Sequence, residues 1–167
     1  MSYLSGKTPA FATIVSRSNF GGYVQMDTDE EKPSYSREEM LWNIRVALAG
    51  RASEKVFFGE NAAINTGARS DLQAATKYAL QMICSYGMMS GKMIALPTDT
   101  ILNTPLAHTY LNEANQLMEE EMAEAERLLE ANKDKVETIA NALLKDNYLT
   151  ASQIEGLLKQ EESAAEN

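Results

Sequence analysis

The stretch of this sequence that decides the fold is TGARSDLQAAT, residues 66–76. It places Gly67 in a turn and Asp71 in the first turn of a helix with regular apolar spacing. Ser70 and Gln73 have the spacing of a capping box, in which each side chain satisfies a free backbone N–H. The sequence therefore predicts a helix that begins at Ser70 and ends at Gly87. Because the helix dipole favours a carboxylate in the first turn, helix formation alone is enough to explain an aspartate at position 71.

The remaining helices are marked by the same kinds of signal. A capping box at Ser36 and Glu39 and apolar residues at helical spacing predict a helix up to about Phe58, which Gly59 stops. Apolar periodicity further downstream predicts a long helix at Leu106–Ala131 and a second helix around Val136–Leu144. A short helix is predicted after the Thr150–Gln153 cap.

A small β element is predicted near the N-terminus, after a helix end at Gly6. Ala10–Val15 and Gly21–Met26 have the composition of strands, and residues 16–20 can turn the chain between them. Met88–Pro105 is predicted to be a loop with one short strand around Met93–Leu96. The fold class is thus mostly α, with a small β-hairpin or sheet near the N-terminus and a helix bundle at the end.

This pattern predicts one domain of about 160 residues. Residues 1–104 form a lobe with the small β element, 105–160 form the C-terminal helical bundle, and 161–167 form a disordered polar tail.

Composition excludes several classes of function. The net charge is −9, from 24 acids against 15 bases, which argues against nucleic acid because phosphate contacts need clustered Lys and Arg. No apolar run approaches the roughly 20 residues of a membrane span, and no signal peptide is visible. The single cysteine, Cys84, excludes an internal disulfide and suits a reducing compartment such as the cytoplasm.

Complete catalytic constellations are absent from the sequence. The only histidine is His108, near a predicted helix start, where a surface or capping role is the favoured interpretation. There is no Walker-type phosphate loop and no His or Cys cluster with zinc spacing. The chain by itself therefore lacks the residues of a complete enzyme, and no catalytic residue is assigned within it.

Several segments, in order, resemble the peptidase domain of the FtsH-type family of ATP-dependent AAA+ zinc metalloproteases. The resemblance covers roughly residues 8–160. Near the N-terminus, Thr13–Arg17 is similar to that family's Thr-Ile-Ile-Pro-Arg strand, and Gly22-Tyr23 to its Gly-Tyr strand. In the helical part, Gly50–Lys55 is similar to the family's Gly-Gly-Arg-Ala-Ala-Glu-Glu segment, and Thr66–Asp71 to its Thr-Gly-Ala-Ser-Asn-Asp segment. Tyr86–Met88 is similar to the family's Tyr-Gly-Met.

The resemblance implies roles for particular residues. Asp71 matches the aspartate that is the family's third zinc ligand, and Glu54 matches a glutamate near the metal, where a supporting role behind the ligands is implied. Gly22, Tyr23 and Val24 match the strand along which an extended substrate lies. The implied cofactors are zinc, in a site that is incomplete in this chain, and ATP, on a domain that this sequence does not contain.

This sequence also departs from the family's pattern. The His-Glu-x-x-His motif is absent, and in the family it supplies two zinc-binding histidines and the general base. Lys55 stands in place of the second Glu, Arg69 in place of Ser, and Ser70 in place of Asn. These differences indicate a divergent branch of the family.

Two interpretations of the missing motif follow. In the first, this is a piece of a longer protease that degrades unfolded or membrane proteins and forms hexamers. That protease is expected to be anchored to the membrane by N-terminal segments absent here, and this piece alone is expected to be inactive. In the second, it is a natural non-catalytic adaptor or oligomerisation module derived from the same family. An unrelated acidic helical protein is the third alternative.

Overall fold

A computed structural model describes residues 1–15, 22–26, 34–61, 64–89 and 93–165 of the chain. Its helices are α1 to α6, at Arg37–Phe58, Arg69–Leu80, Thr98–Leu102, Ala107–Ala131, Lys133–Asp146 and Ala151–Ala165. Its strands are β1 to β3, at Pro9–Thr13, Tyr23–Met26 and Tyr148–Thr150. Two 3-10 turns occupy Tyr3–Ser5 and Thr66–Ala68, and α2 continues as a π-helical turn over Gln81–Ser85. The predicted fold class, mostly α with a small antiparallel sheet, is confirmed.

The chain divides into two compact units. One contains the described parts of Met1–Lys32 and Glu130–Asn167, and the other contains those of Pro33–Leu129. The predicted division at residues 104/105 follows the sequence pattern, and it stays a prediction.

The first unit is built on the three-stranded sheet, in which β1 lies between β2 and β3 and is antiparallel to both. The pairing of β1 with β2 confirms the predicted hairpin strands, while the predicted turn at residues 16–20 lies outside the described residues. Gly6 ends the first 3-10 turn with φ of +81°, as predicted. Ala12 and Leu149 are buried against Ile154 and Leu158 of α6.

Strand β3 is absent from the sequence-based prediction, which assigned Thr150 only to a helix cap. Thr150 belongs both to strand β3 and to the cap of α6. It pairs with Phe11 of β1, and its backbone N–H and hydroxyl donate to Gln153 Oε1, each at 2.9 Å. The predicted cap is therefore confirmed, and α6 runs on to Ala165, into the segment predicted as a tail.

The second unit is built on the packing of α1 against α2. Helix α1 begins at the predicted capping box of Ser36 and Glu39 and ends at Gly59. Ala52, Ala75 and Ala79 have no exposed surface, and such small side chains let the two helices approach closely. The core of this unit also buries larger side chains from α1, α2, α4 and the π-helical turn, including Ile44, Met82, Ile83, Cys84 and Leu117.

Two local predictions in this unit are wrong. Helix α2 begins at Arg69 without a side-chain cap, because the 3-10 turn Thr66–Ala68 already leads into it and Ser70 lies inside its first turn. Met93–Leu96 is not a strand: the Leu96 N–H donates to the Cys84 carbonyl, which holds the segment along the π-helical turn. The short helix α3 follows within the predicted loop.

Candidate functional site

Asp71 lies in the first turn of α2, where the sequence placed it. Its side chain is exposed, and no hydrogen bond or ion pair of its carboxylate is found within the described residues. A Cβ built on Gly50 of α1 would lie 3.7 Å from Asp71 Oδ2. The absence of a side chain at Gly50 thus leaves open space on the α1 side of this carboxylate.

Glu54 is linked to the segment that leads into α2. Its Oε2 accepts a hydrogen bond from Asn65 Nδ2 at 2.7 Å, and Asn65 Oδ1 accepts one from the Gly67 N–H at 2.8 Å. Asn65 is the N-cap of the 3-10 turn Thr66–Ala68, which continues directly into Arg69 and the first turn of α2. A side-chain contact therefore joins the first matching segment, Gly50–Lys55, to the residue directly before the second one, Thr66–Asp71.

Asn65 was not predicted as a functional residue. The available signal was an Asn-Thr-Gly sequence, in which an asparagine caps the backbone N–H two residues later. The contact with Glu54 crosses 11 positions of the chain and has no local signature.

Lys55 connects α1 to a different neighbour. Its Nζ lies 3.0 Å from Glu126 Oε1 of α4 and 3.4 Å from Glu60 Oε2. The hydrogen bond with Glu126 is the largest cause of a raised pKa of Lys55. The lysine that replaces the family's second glutamate thus forms an ion pair between α1 and α4.

The predicted substrate strand lies in the other unit. Among the described strands, β2 forms one edge of the sheet, and Val24 on it is 57% exposed. The Tyr23 ring packs edge-on against Phe11, with ring centroids 5.5 Å apart. A Cβ on Gly22 would lie 2.8 Å from the Thr13 carbonyl oxygen, so this position accepts only glycine without a shift of the backbone.

The donor set was compared with the needs of a zinc ion, which usually takes three protein ligands in a catalytic site. No group of three His, Cys, Asp or Glu residues that could hold a metal occurs in the described part of the chain. Asp71 offers carboxylate oxygens of the right chemistry, but these residues do not complete a zinc site by themselves. His108 is exposed at the start of α4, in agreement with the surface role favoured for it, and Cys84 is buried.

None of the helices in the described residues is long and apolar enough to cross a membrane.

Comparison with known proteins gives a consistent answer. The family model described as peptidase family M41 matches residues 5–157. The chain is 32% identical over 155 residues to the ATP-dependent zinc metalloprotease FtsH of Neorickettsia risticii, covering 89% of this chain and 24% of that protein. It is 32% identical over 161 residues to the FtsH of Bacillus subtilis, with 87% and 25% covered. It thus spans about a quarter of the length of these curated relatives.

Proposed function

This chain belongs to peptidase family M41, the FtsH-type zinc metalloproteases, and from that premise we propose that it forms part of the peptidase domain of an ATP-dependent zinc metalloendopeptidase. The observation that carries the proposal is the exposed Asp71 carboxylate, without a partner among the described residues and beside Gly50. A carboxylate kept free at a helix start is available to a metal, because its lone pairs are not used by the protein.

In this proposal Asp71 is one ligand of a zinc ion, and the other ligands come from residues outside these 167. Zinc bound in such a site supplies Lewis-acid chemistry to peptide hydrolysis. Glu54 helps to position Asp71 without binding the metal itself, and neither residue transfers a proton to the substrate.

The proposed substrates are unfolded or membrane proteins that bind along β2. An extended chain can add to an edge strand through its backbone, which gives affinity with little dependence on sequence. In support, β2 is an edge among the described strands, and Val24 is exposed for a substrate to cover. Gly22 and Tyr23 contribute by holding β2 on β1, through the close backbone approach and the contact of Tyr23 with Phe11.

The remaining parts of the activity are assigned to segments outside this sequence. ATP binds to a separate domain, and an N-terminal anchor holds the protein at the membrane with this domain on the cytoplasmic side. The domain assembles with copies of itself into a hexamer. The relatives are named as ATP-dependent zinc metalloproteases, which supports the proposed roles of ATP and zinc, whereas the anchor and the hexamer rest on the resemblance to the family.

Proteolysis of casein tests the proposal. The 167 residues alone should neither cleave casein nor retain zinc after dialysis, whereas the longer protein encoded by the same reading frame should cleave it in a chelator-sensitive way. Asp71→Ala in that longer protein should abolish cleavage. Unchanged cleavage by Asp71→Ala contradicts the proposal, and a reading frame without a His-Glu-x-x-His motif favours the non-catalytic adaptor.

A further inference from the structure

We propose that Asn65 is a positioning residue that ties the start of α2 to Glu54 of α1 and thereby sets the place of the Asp71 carboxylate. The inference rests on the proposed function, in which Asp71 is a metal ligand. It explains how Glu54 acts on Asp71, although no direct hydrogen bond joins the two side chains among the described residues.

The Asn65 amide uses both of its ends. Its Nδ2 donates to Glu54 Oε2 at 2.7 Å, and its Oδ1 accepts from the Gly67 N–H at 2.8 Å. Because the amide group is planar, the two bonds together fix its orientation, and a bond to a carboxylate is stronger than one between neutral groups. The backbone at Gly67 is therefore held at a defined place relative to α1.

The segment from Gly67 to Asp71 has little freedom to change this placement. Thr66–Ala68 is a 3-10 turn that passes without a break into α2, and Ala68 is buried. A Cβ on Gly67 would lie 2.9 Å from Asn65 Oδ1, so the asparagine occupies the space that a side chain would need. A shift of Gly67 is thus carried to Asp71 through one turn of regular helix.

The contact with Glu54 is more than a helix cap requires. A cap needs only an acceptor for the Gly67 N–H, and a serine hydroxyl supplies one. The donor that reaches Glu54 is specific to the longer amide. Metal ligands must be held to about 0.5 Å, so a link between the two helices next to the ligand has a use that a cap alone lacks.

The test uses the longer protein and measures its zinc affinity by competition with a chelator. Asn65→Ser keeps an acceptor for Gly67 and loses the donor to Glu54, and Glu54→Ala removes the acceptor. Each should weaken zinc binding roughly 2- to 10-fold, because a single exposed hydrogen bond is lost. The double variant should bind zinc no more weakly than the single variant with the larger loss. Glu54→Gln, which retains an acceptor oxygen, should lose less than Glu54→Ala.

Asn115→Ser is the matched control. Asn115 Nδ2 donates to Glu119 Oε1 at 2.7 Å, the same chemistry at the same distance, but within α4. This variant should leave zinc affinity unchanged. A second readout uses the 167-residue chain: Glu54→Ala should speed amide exchange of Gly67 roughly 2- to 10-fold, since the amide that accepts its hydrogen bond is no longer anchored.

The outcomes separate this inference from the proposed function. If Asp71→Ala loses zinc while Asn65→Ser and Glu54→Ala both bind it normally, the positioning role is wrong and the ligand role stands. If Asp71→Ala binds zinc normally, the proposed function itself is wrong. Additive losses in the double variant would also overturn the inference, because they would mean that the two residues act separately.

Discussion

Asp71 Oδ2 lies 3.7 Å from the position that a Cβ would take on Gly50, although the two residues are 21 positions apart. The relationship joins the two segments that mark the family, one on α1 and one at the start of α2. It also gives Gly50 a role: a glycine inside a helix costs stability, and here it leaves the carboxylate uncovered.

Replacing Gly50 with alanine should raise stability. The distance of 3.7 Å is ordinary van der Waals contact, so the added methyl fits, and alanine favours a helix over glycine by about 0.5–1 kcal/mol. Urea unfolding of the 167-residue chain measures the change. A loss of stability would contradict this argument, because it would mean that the methyl does not fit beside Asp71.

Replacing Asp71 with asparagine should change the stability of the chain by less than about 1 kcal/mol. The residue is exposed, and the variant loses only the interaction of the charge with the helix dipole. Asp134→Asn, in the first turn of α5, is the matched control. If thermal unfolding shows a much larger loss for Asp71→Asn than for the control, Asp71 has a structural role that its exposure does not reveal.

Glu121 of α4 forms a buried ion pair with Arg45 of α1, and Arg45 also contacts Glu38 at 3.0 Å and stacks over Trp42. Both members of the pair are about nine-tenths buried. Glu121→Ala should therefore destabilise the chain by about 2–4 kcal/mol, because it leaves Arg45 without its main partner.

The double variant Arg45→Met with Glu121→Leu is the comparison. Apolar side chains of similar volume avoid the desolvation cost, so it should be more stable than Glu121→Ala in urea unfolding. If both variants lose the same stability, packing rather than charge explains the loss.

The same pair predicts a pH dependence. Burial raises the pKa of the Glu121 carboxyl, against the effects of Arg45. The folded chain then binds a proton that the unfolded chain has lost, so this contribution to stability falls as pH rises from the ordinary glutamate pKa through the raised one. Between about pH 4 and 7, the urea midpoint of Glu121→Gln should therefore rise relative to that of the unchanged chain, because the variant lacks this falling contribution. Equal slopes would mean that the carboxyl titrates normally.

Replacing Gly22 with alanine should weaken the sheet by roughly 1–3 kcal/mol. The new methyl would lie 2.8 Å from the Thr13 carbonyl oxygen, so β2 must move away from β1. Gly156→Ala in α6 is the opposite case: nothing lies within 4 Å of its Cβ, and alanine favours the helix, so this variant should be more stable. Urea unfolding that ranks the two variants the other way contradicts both arguments.

Residues close in sequence determined most of what could be predicted. The capping box at Ser36, the stop at Gly59, the long α4 and the place of Asp71 in a first helical turn follow from patterns a few residues long. The family, too, is recognisable from short motifs in order. These features are local because each depends on backbone hydrogen bonds and side-chain spacing within a turn or two.

Only the tertiary structure decided how those parts meet. Strand β3 exists because Thr150 pairs with Phe11 across 139 positions, and the Glu54–Asn65 bond and the Gly50–Asp71 approach depend on α1 packing against α2. Such contacts leave no periodic trace, because their partners are chosen by the packing of whole helices and strands. The sequence by itself determined that Asp71 begins a helix, and the packing of α1 decided that its carboxylate stands uncovered beside Gly50.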